Sequence, residues 1–287
     1  MHPFHAGVIP RKLQLLEPPV PFTCMDLDSL EGQTFGPMPM RVAADSVADF
    51  VAVTGDDPDR WSQVAPPGFA AAALFEVAPE LLDQVSERFV VHGEQTFTWH
   101  SPIKIGSLLE VTGTVNRVRE RRGTHFVIFD VGATEEGEPV LRGSSTFILS
   151  GKSILASADF ERPEPQHSFR GDPRPGQVAA SRADLVRYAA ATRDWNPIHW
   201  DHDAAVAAGF PGVVVHGLLQ AAWAIAAVAG DVDRSRPLFS AKARFRNPML
   251  PARPADLEMA RDDHTATVTI RDEDTEYLTA RIELAHG

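Results

Sequence analysis

One cysteine in 287 residues, Cys24, has no partner for an intramolecular disulfide, so the fold must rest on packing, and a reducing compartment is expected. Positive charge is also scarce: 27 Lys and Arg stand against 39 Asp and Glu, a net charge of −12. That balance argues against a general nucleic-acid or anionic-membrane surface and leaves a phosphate-bearing partner only a local basic cluster. Long apolar runs are missing as well. The longest, around Leu218–Ala229, is about a dozen residues and is broken by Gln220, too short to span a bilayer. The opening MHPFHAGVIPRKLQLLEPPVPF is dotted with proline and has no signal-peptide core. The expectation is a cytoplasmic, soluble protein that binds neither nucleic acid nor membrane.

What is present is a plan that occurs twice. After a Pro- and Gly-rich lead-in, with LEGQTFGPMPMRV as a first strand and turn, DSVADFVAVT places Val47, Phe50, Val51 and Thr54 at helical spacing, with Asp45 or Ser46 as its cap. A second helix, FAAAALFEVA, is expected to close at Pro79. Strand patterns follow in GEQTFTWH, SLLEVTGTVNRVRE, THFVIFDVGA and PVLRGSSTFIL, joined at RERRG and EEGE. Periodicity then fades through a proline-studded linker. The order resumes with a short helix, Ala183–Thr192, a longer one, His216–Val228, and strands in FSAKARFR, ADLEMARD, HTATVTIR and EYLTARIEL. This divides the chain into residues 1–150, a linker at 151–178, and residues 179–287.

The two copies align at a constant offset of 138, which matches Asp49 with Arg187, Phe50 with Tyr188, Thr54 with Thr192 and Asp56 with Asp194. The match then ends. Position 61, opposite His199, is Trp61, no histidine lies between Asp56 and Gly68, and only the second copy inserts a long loop before its glycine, Gly217. One site per chain is therefore expected. The helix from His216 is apolar nearly all round and needs cover, which curled antiparallel strands can give, and two such halves can pair edge to edge into one longer sheet.

The site candidates fall in Asp194–His199. An ionised carboxylate, Asp194, and a neutral imidazole, His199, can divide proton abstraction and delivery, as reversible addition of water to a carbon–carbon double bond requires. Pro197 fixes φ between them, and the short side chain of Asn196 is placed to bridge the loop backbone. The run VVVHG leads into the long helix, so free amides around Gly217 and Leu218 can hold a developing oxyanion, and Gly217 permits close approach.

The run YAAATRDWNPIH followed by GFPGVVVHG resembles the MaoC-like family of R-specific enoyl-CoA hydratases and 3-hydroxyacyl-thioester dehydratases. Asp194, Asn196, Pro197 and His199 match its Asp-x-Asn-Pro-x-His pattern, while the glycine that often precedes the aspartate is Arg193 here. HGEQTFTWHSPIKIGSLLEV resembles the degenerate first repeat of the double hot-dog members. The resemblance implies an α+β double hot-dog, two antiparallel sheets each wrapped around a central apolar helix. It implies that Asp194 and His199 hold the catalytic water or substrate hydroxyl and that the Gly217 amide holds the thioester oxygen. The substrate would be an acyl-CoA or an acyl-carrier-protein thioester, so that coenzyme A or pantetheine arrives as part of it, with no metal and no redox cofactor. A homodimer of double hot-dogs is the assembly this admits.

Plainer readings stand beside these. His216 either touches substrate or caps the helix. Lys242, Arg244 and Arg246 alternate along a strand, either as a solvated face or as a phosphate contact. His202 and Asp203 read as a turn and N-cap, and Trp195, Trp200 and Trp223 as packing. His92, Gln95 and His100 are candidates for lining an acyl tunnel. Two other functions remain open: a hot-dog thioesterase, disfavoured because HGLLQAAWAIAAVAG carries no carboxylate but kept alive by Glu76, and a non-catalytic acyl-thioester binding module.

Overall fold

The computed structural model describes residues 26–86, 88–150, 173–230 and 238–285. The first half supplies strands β1 (Thr34–Arg41), β2 (Phe89–Trp99), β3 (Leu108–Arg121), β4 (Thr124–Glu135) and β5 (Glu138–Ser150). The second supplies β6 (Gln177–Val178), β7 (Ser240–Phe245), β8 (Ala255–Arg261), β9 (Thr265–Arg271) and β10 (Glu276–Glu283). The helices are α1 (Ala44–Thr54), α2 (Ala71–Gln84), α3 (Arg182–Thr192), α4 (His202–Ala207) and α5 (Gly217–Ala229). The lead-in with Cys24, and linker positions 151–172, lie outside the described residues. Gln177 and Val178, at the end of the expected linker, pair with β8.

All the strands join one antiparallel sheet in the order β1-β3-β4-β5-β2-β7-β10-β9-β8-β6. Its two expected turns are tight hairpins. Arg122 and Gly123 (φ 53° and 78°), and Glu136 and Gly137 (φ 52° and 87°), all take left-handed backbone, whose twist matches that of the flanking strands. The halves meet where Glu94–Thr98 of β2 pairs with Ser240–Arg244 of β7, which removes two edges from solvent. Helix α2 lies on β1, β3 and β4, and α5 on β7, β9 and β10, so each half wraps its own apolar helix. They come close at the axis of the molecule: a Cβ on Gly68, in the turn before α2, would sit 3.1 Å from Ala222 of α5. No helix among the described residues is long and apolar enough to cross a membrane.

The offset of 138 acquires a spatial meaning here. Asp49 pairs with Arg187 at 3.7 Å, and the Phe50 and Tyr188 rings lie 5.8 Å apart, so matched positions touch each other where α1 packs on α3. A local twofold between the halves places positions near its axis in just this way.

Two local expectations are corrected. Helix α2 does not close at Pro79 but runs a further turn to Gln84. The proline forgoes a hydrogen bond and costs ~3 kcal/mol. Beyond it Leu81 and Val85 are 2% and 3% exposed. Burying two such side chains contributes about 1.5–3 kcal/mol each, and that outweighs the break. Helix α1 begins one residue early, from Ala43 with no side-chain cap, and Asp45 sits in its first turn instead.

Candidate active site

Helix α3 is started by a capping box: the Ser181 hydroxyl accepts from the Asp184 amide, and the Asp184 carboxylate accepts from Ser181. It is stopped by Arg193, whose φ of 66° is left-handed and whose amide donates to the Ala189 carbonyl at 2.7 Å. This conformation is free for glycine and costs other residues about 1 kcal/mol. The chain then turns through Asp194. Asn196 Oδ1 accepts from the Ile198 amide at 3.3 Å, and Pro197 opens a single 3-10 turn, Pro197–His199.

His199 donates from Nδ1 to the Val214 carbonyl at 2.9 Å, since a carbonyl can only accept; its Nε2 is left as the basic nitrogen. His216, directly before α5, faces the main-chain oxygen of Asp194 through Nε2 at 3.3 Å. Its Nδ1 is buried without a partner among the described residues. The two imidazoles stack at 3.8 Å with 23° between planes, and the Tyr188 ring lies 4.9 Å from that of His216, tilted by 51°. His216 is therefore a packed element of the site rather than a side-chain cap, since it makes no capping bond to α5. Asp194, His199 and His216 are 6%, 8% and 0% exposed, and one donor atom of each lies within 4.8 Å of the others. The stacked rings aim their lone pairs along nearly parallel planes, so a single cation cannot lie in both ring planes unless the stack opens.

Burial sets the electrostatics. It lifts the Asp194 carboxyl to about 7 against the pull of the Asn196 amide. It lowers His199 to about 4, opposed by the Val214 carbonyl. His216 falls well below the usual histidine range by burial and by the neighbouring His199. Around neutral pH both rings are neutral, and Asp194 is divided between acid and carboxylate rather than fully ionised as its sequence suggests, because burial penalises the charge.

At the start of α5 the His216 carbonyl accepts from the Leu219 and Gln220 amides, and the Gly217 and Leu218 amides precede the helical ladder. A Cβ on Gly217 would meet the Phe245 ring at 3.0 to 3.2 Å, so only glycine keeps that amide beside the aromatic wall without displacing it. Phe245 escaped the sequence reading, although the alternation that puts Lys242 and Arg244 outside puts Phe245 inside. Gln220 was missed too; it is one turn below His216, and its Oε1 is buried without a partner among the described residues.

The remaining candidates separate. Arg244 and Arg246 are not brought to this constellation: Arg244 pairs with Glu94 at 2.9 Å and Arg246 with Glu276 at 3.3 Å, beside Lys242, which also takes Glu94. His92 lies between Phe147 and Phe245, at 5.1 and 4.9 Å, and burial pushes it down to about 4. Gln95 is held by the Ser145 hydroxyl and the Thr96 carbonyl. Asp201, not Asp203, caps α4. Glu76 of α2 receives Arg193 Nη1 on both its oxygens, at 2.7 and 2.6 Å. In the first half, Asp56 is also pushed up by burial, but Trp61 (5% exposed) fills the position that corresponds to the histidine.

The fold is a double hot-dog, and comparison with known proteins adds what each half resembles. Residues 164–281 match the model described as MaoC like domain, and residues 29–142 match that of the FAS1-like, dehydratase domain region. The second half is thus MaoC-like and the first half dehydratase-like, one model to each repeat. The chain is similar to 3-hydroxyacyl-thioester dehydratase X of Mycobacterium tuberculosis, 27% identical over 249 residues that cover 85% of this chain and 86% of that one. The peroxisomal multifunctional enzyme type 2 of Drosophila melanogaster is 27% identical over 208 residues, 64% of this chain and 34% of that protein, so this chain spans about a third of it. In fold, the crystal structure of HtdX from Mycobacterium tuberculosis superposes with a TM-score of 0.70 at 24% identity, covering 88% of this chain and 100% of that one. A further Mycobacterium tuberculosis protein described as a double hotdog fold superposes with a TM-score of 0.62 at 13% identity, covering 88% and 96%.

Proposed function

We propose that this chain is a hydro-lyase that adds water reversibly to a trans-2-enoyl thioester, giving the (3R)-hydroxyacyl thioester. The observation that carries this reading is the meeting of one buried carboxyl with one buried neutral imidazole beside a helix start whose first amides have no backbone partner among the described residues. With Asp194 lifted to about 7, much of it is the carboxylic acid near neutrality, so the pair holds an acid and a base at once. In hydration the water oxygen bonds to C3 of the enoyl group and its proton passes to His199 Nε2. Asp194 gives its proton to C2. The charge that gathers on the thioester oxygen meets the Gly217 and Leu218 amides, each contributing roughly 3 kcal/mol. His199 then returns its proton to Asp194, which restores both groups, and the same steps reversed give dehydration. The coenzyme A or carrier pantetheine arm belongs to the substrate, and no step calls on a metal or redox group.

Two observations among the described residues count against hydrolysis. The carboxylate that kept it open, Glu76, is engaged by Arg193, and α5 carries none. Turnover of crotonyl-CoA and longer enoyl-CoA substrates, followed by loss of enoyl absorbance, tests the proposal. Asp194→Asn and His199→Ala are each expected to lower it by roughly 100-fold or more with the circular dichroism unchanged. Unaltered rates in both variants would end the assignment.

A further inference from the structure

We infer that Arg193 and Glu76 form a latch that positions Asp194, tying the acid/base loop of the second half to the core helix of the first; this rests on the hydro-lyase reading above. Arg193 directly precedes Asp194, and its backbone sets the entry to the loop. Its amide closes α3 on Ala189 at 2.7 Å, and its carbonyl accepts from the Trp195 amide at 3.0 Å. A glycine would take this left-handed conformation more easily but would carry nothing to hold the turn from outside. Arginine accepts the conformational cost and sends a side chain to an anchor.

That anchor is fixed. Glu76 lies on α2 between Phe75 and Val77, which are 8% and 0% exposed. Its own side chain is only 10% exposed, whereas that of Arg193 is 59% exposed. Nη1 of Arg193 reaches both carboxylate oxygens, at 2.7 and 2.6 Å. A carboxylate this far withdrawn from water loses much when its cation leaves, which separates this contact from an ordinary surface pair. The other tethers of Asp194 are the Asn196 amide on its carboxylate and the His216 ring at 3.3 Å from its carbonyl, both from the same half. The latch is the tether that comes from the other half, and through it the first half takes part in placing the acid. Its action is through position: Arg193 reaches Glu76, while burial raises the Asp194 carboxyl and the Asn196 amide opposes that rise.

The test uses the full chain with crotonyl-CoA and measures Arg193→Gly, Arg193→Lys, Glu76→Gln and the Arg193→Gly/Glu76→Gln double variant, with Asp194→Asn alongside. Arg193→Gly and Glu76→Gln are each expected to lower kcat by roughly 10- to 100-fold with KM held within about threefold. The double variant should be no worse than the weaker single, since both break one contact. Arg193→Lys, which keeps a cation within reach of Glu76, should recover activity relative to Arg193→Gly, and the pH at which activity halves should stay where it is in each Arg193 and Glu76 variant. Full kcat in both single variants, losses that multiply in the double, or a moved pH midpoint would each overturn the latch. Should Arg193→Gly fail to fold, Glu76→Gln and Arg193→Lys still decide the matter. If Asp194→Asn keeps its turnover, the hydro-lyase reading fails; if it loses turnover while the latch variants keep theirs, the latch alone fails.

Discussion

Replacing Asp194 with asparagine should make the protein more resistant to alkaline pH while it destroys the activity. Asp194 is 6% exposed and burial raises its carboxyl from 3.8 to about 7, so ionising it in the folded state costs about 4 kcal/mol. The sign follows from proton binding. Below the unfolded value both states hold the proton and the group exerts no penalty. Between 3.8 and about 7 the unfolded chain releases it first, and stability falls as pH rises until the folded group ionises too. From about pH 4.5 to about pH 8 the native protein should lose about 3 kcal/mol through this one side chain, a loss absent from Asp194→Asn. Urea unfolding of both proteins at the two pH values measures it. The comparison is of the two pH differences, so any constant cost of burying the amide cancels. Equal pH dependence in the two proteins would refute both the burial argument and the assignment of Asp194 as a neutral acid near pH 7.

Other outcomes follow from the same geometry. The pH–rate profile for hydration should be bell-shaped, falling as Asp194 loses its proton above about 7 and as His199 gains one below about 4; a profile flat across the upper limb would remove Asp194 as the acid. Gly217→Ala puts a methyl 3.0 to 3.2 Å from the Phe245 ring. The gain of about 1 kcal/mol in helix preference offsets that crowding, so the melting temperature should shift little while kcat/KM drops roughly 10-fold or more. Asp56→Asn should leave turnover within about twofold, because Trp61 stands where the second half has His199. A dead Asp56→Asn would show that the first half is not silent.

The sequence carried the element order, the duplication and the Asp194–His199 loop, because these are local: periodicity, turn residues and one motif settle them. Its failures are contacts between distant positions or choices between competing energies. Pro79 reads as a helix end, yet Leu81 and Val85 have burial to gain beyond it. Arg193 had no evident role because its partner, Glu76, is 117 residues away. The cluster of Tyr188, His216 and His199 assembles residues from a helix, a helix start and a loop, and no spacing announces it. Phe245 was within reach of strand parity. Arg244 and Arg246 read equally as phosphate ligands or a solvated face, and only their partners Glu94 and Glu276 distinguish the two.

The contacts at the local twofold bear on why only one half carries the Asp and His together. In a symmetric pair of identical repeats, a residue near the axis meets its own copy. Position 49 would face aspartate with aspartate, or position 187 arginine with arginine, and like charges at such a separation repel. In the fused chain the matched positions are Asp49 and Arg187, 3.7 Å apart and complementary. The pair is about half exposed, so its energy is at most about 1 kcal/mol. Its value as an observation is that complementarity there requires the repeats to differ. The same freedom allows Tyr188 to lie beside His216 in one half while Phe50, its matched position, packs against Phe69 in the other. It also puts Trp61 opposite His199, and lets Glu76 on the half with the tryptophan serve the loop of the half with the histidine. Once the halves share a chain, a side chain on one can be fitted to the needs of the other, and a symmetric pair with two identical sites has no such option.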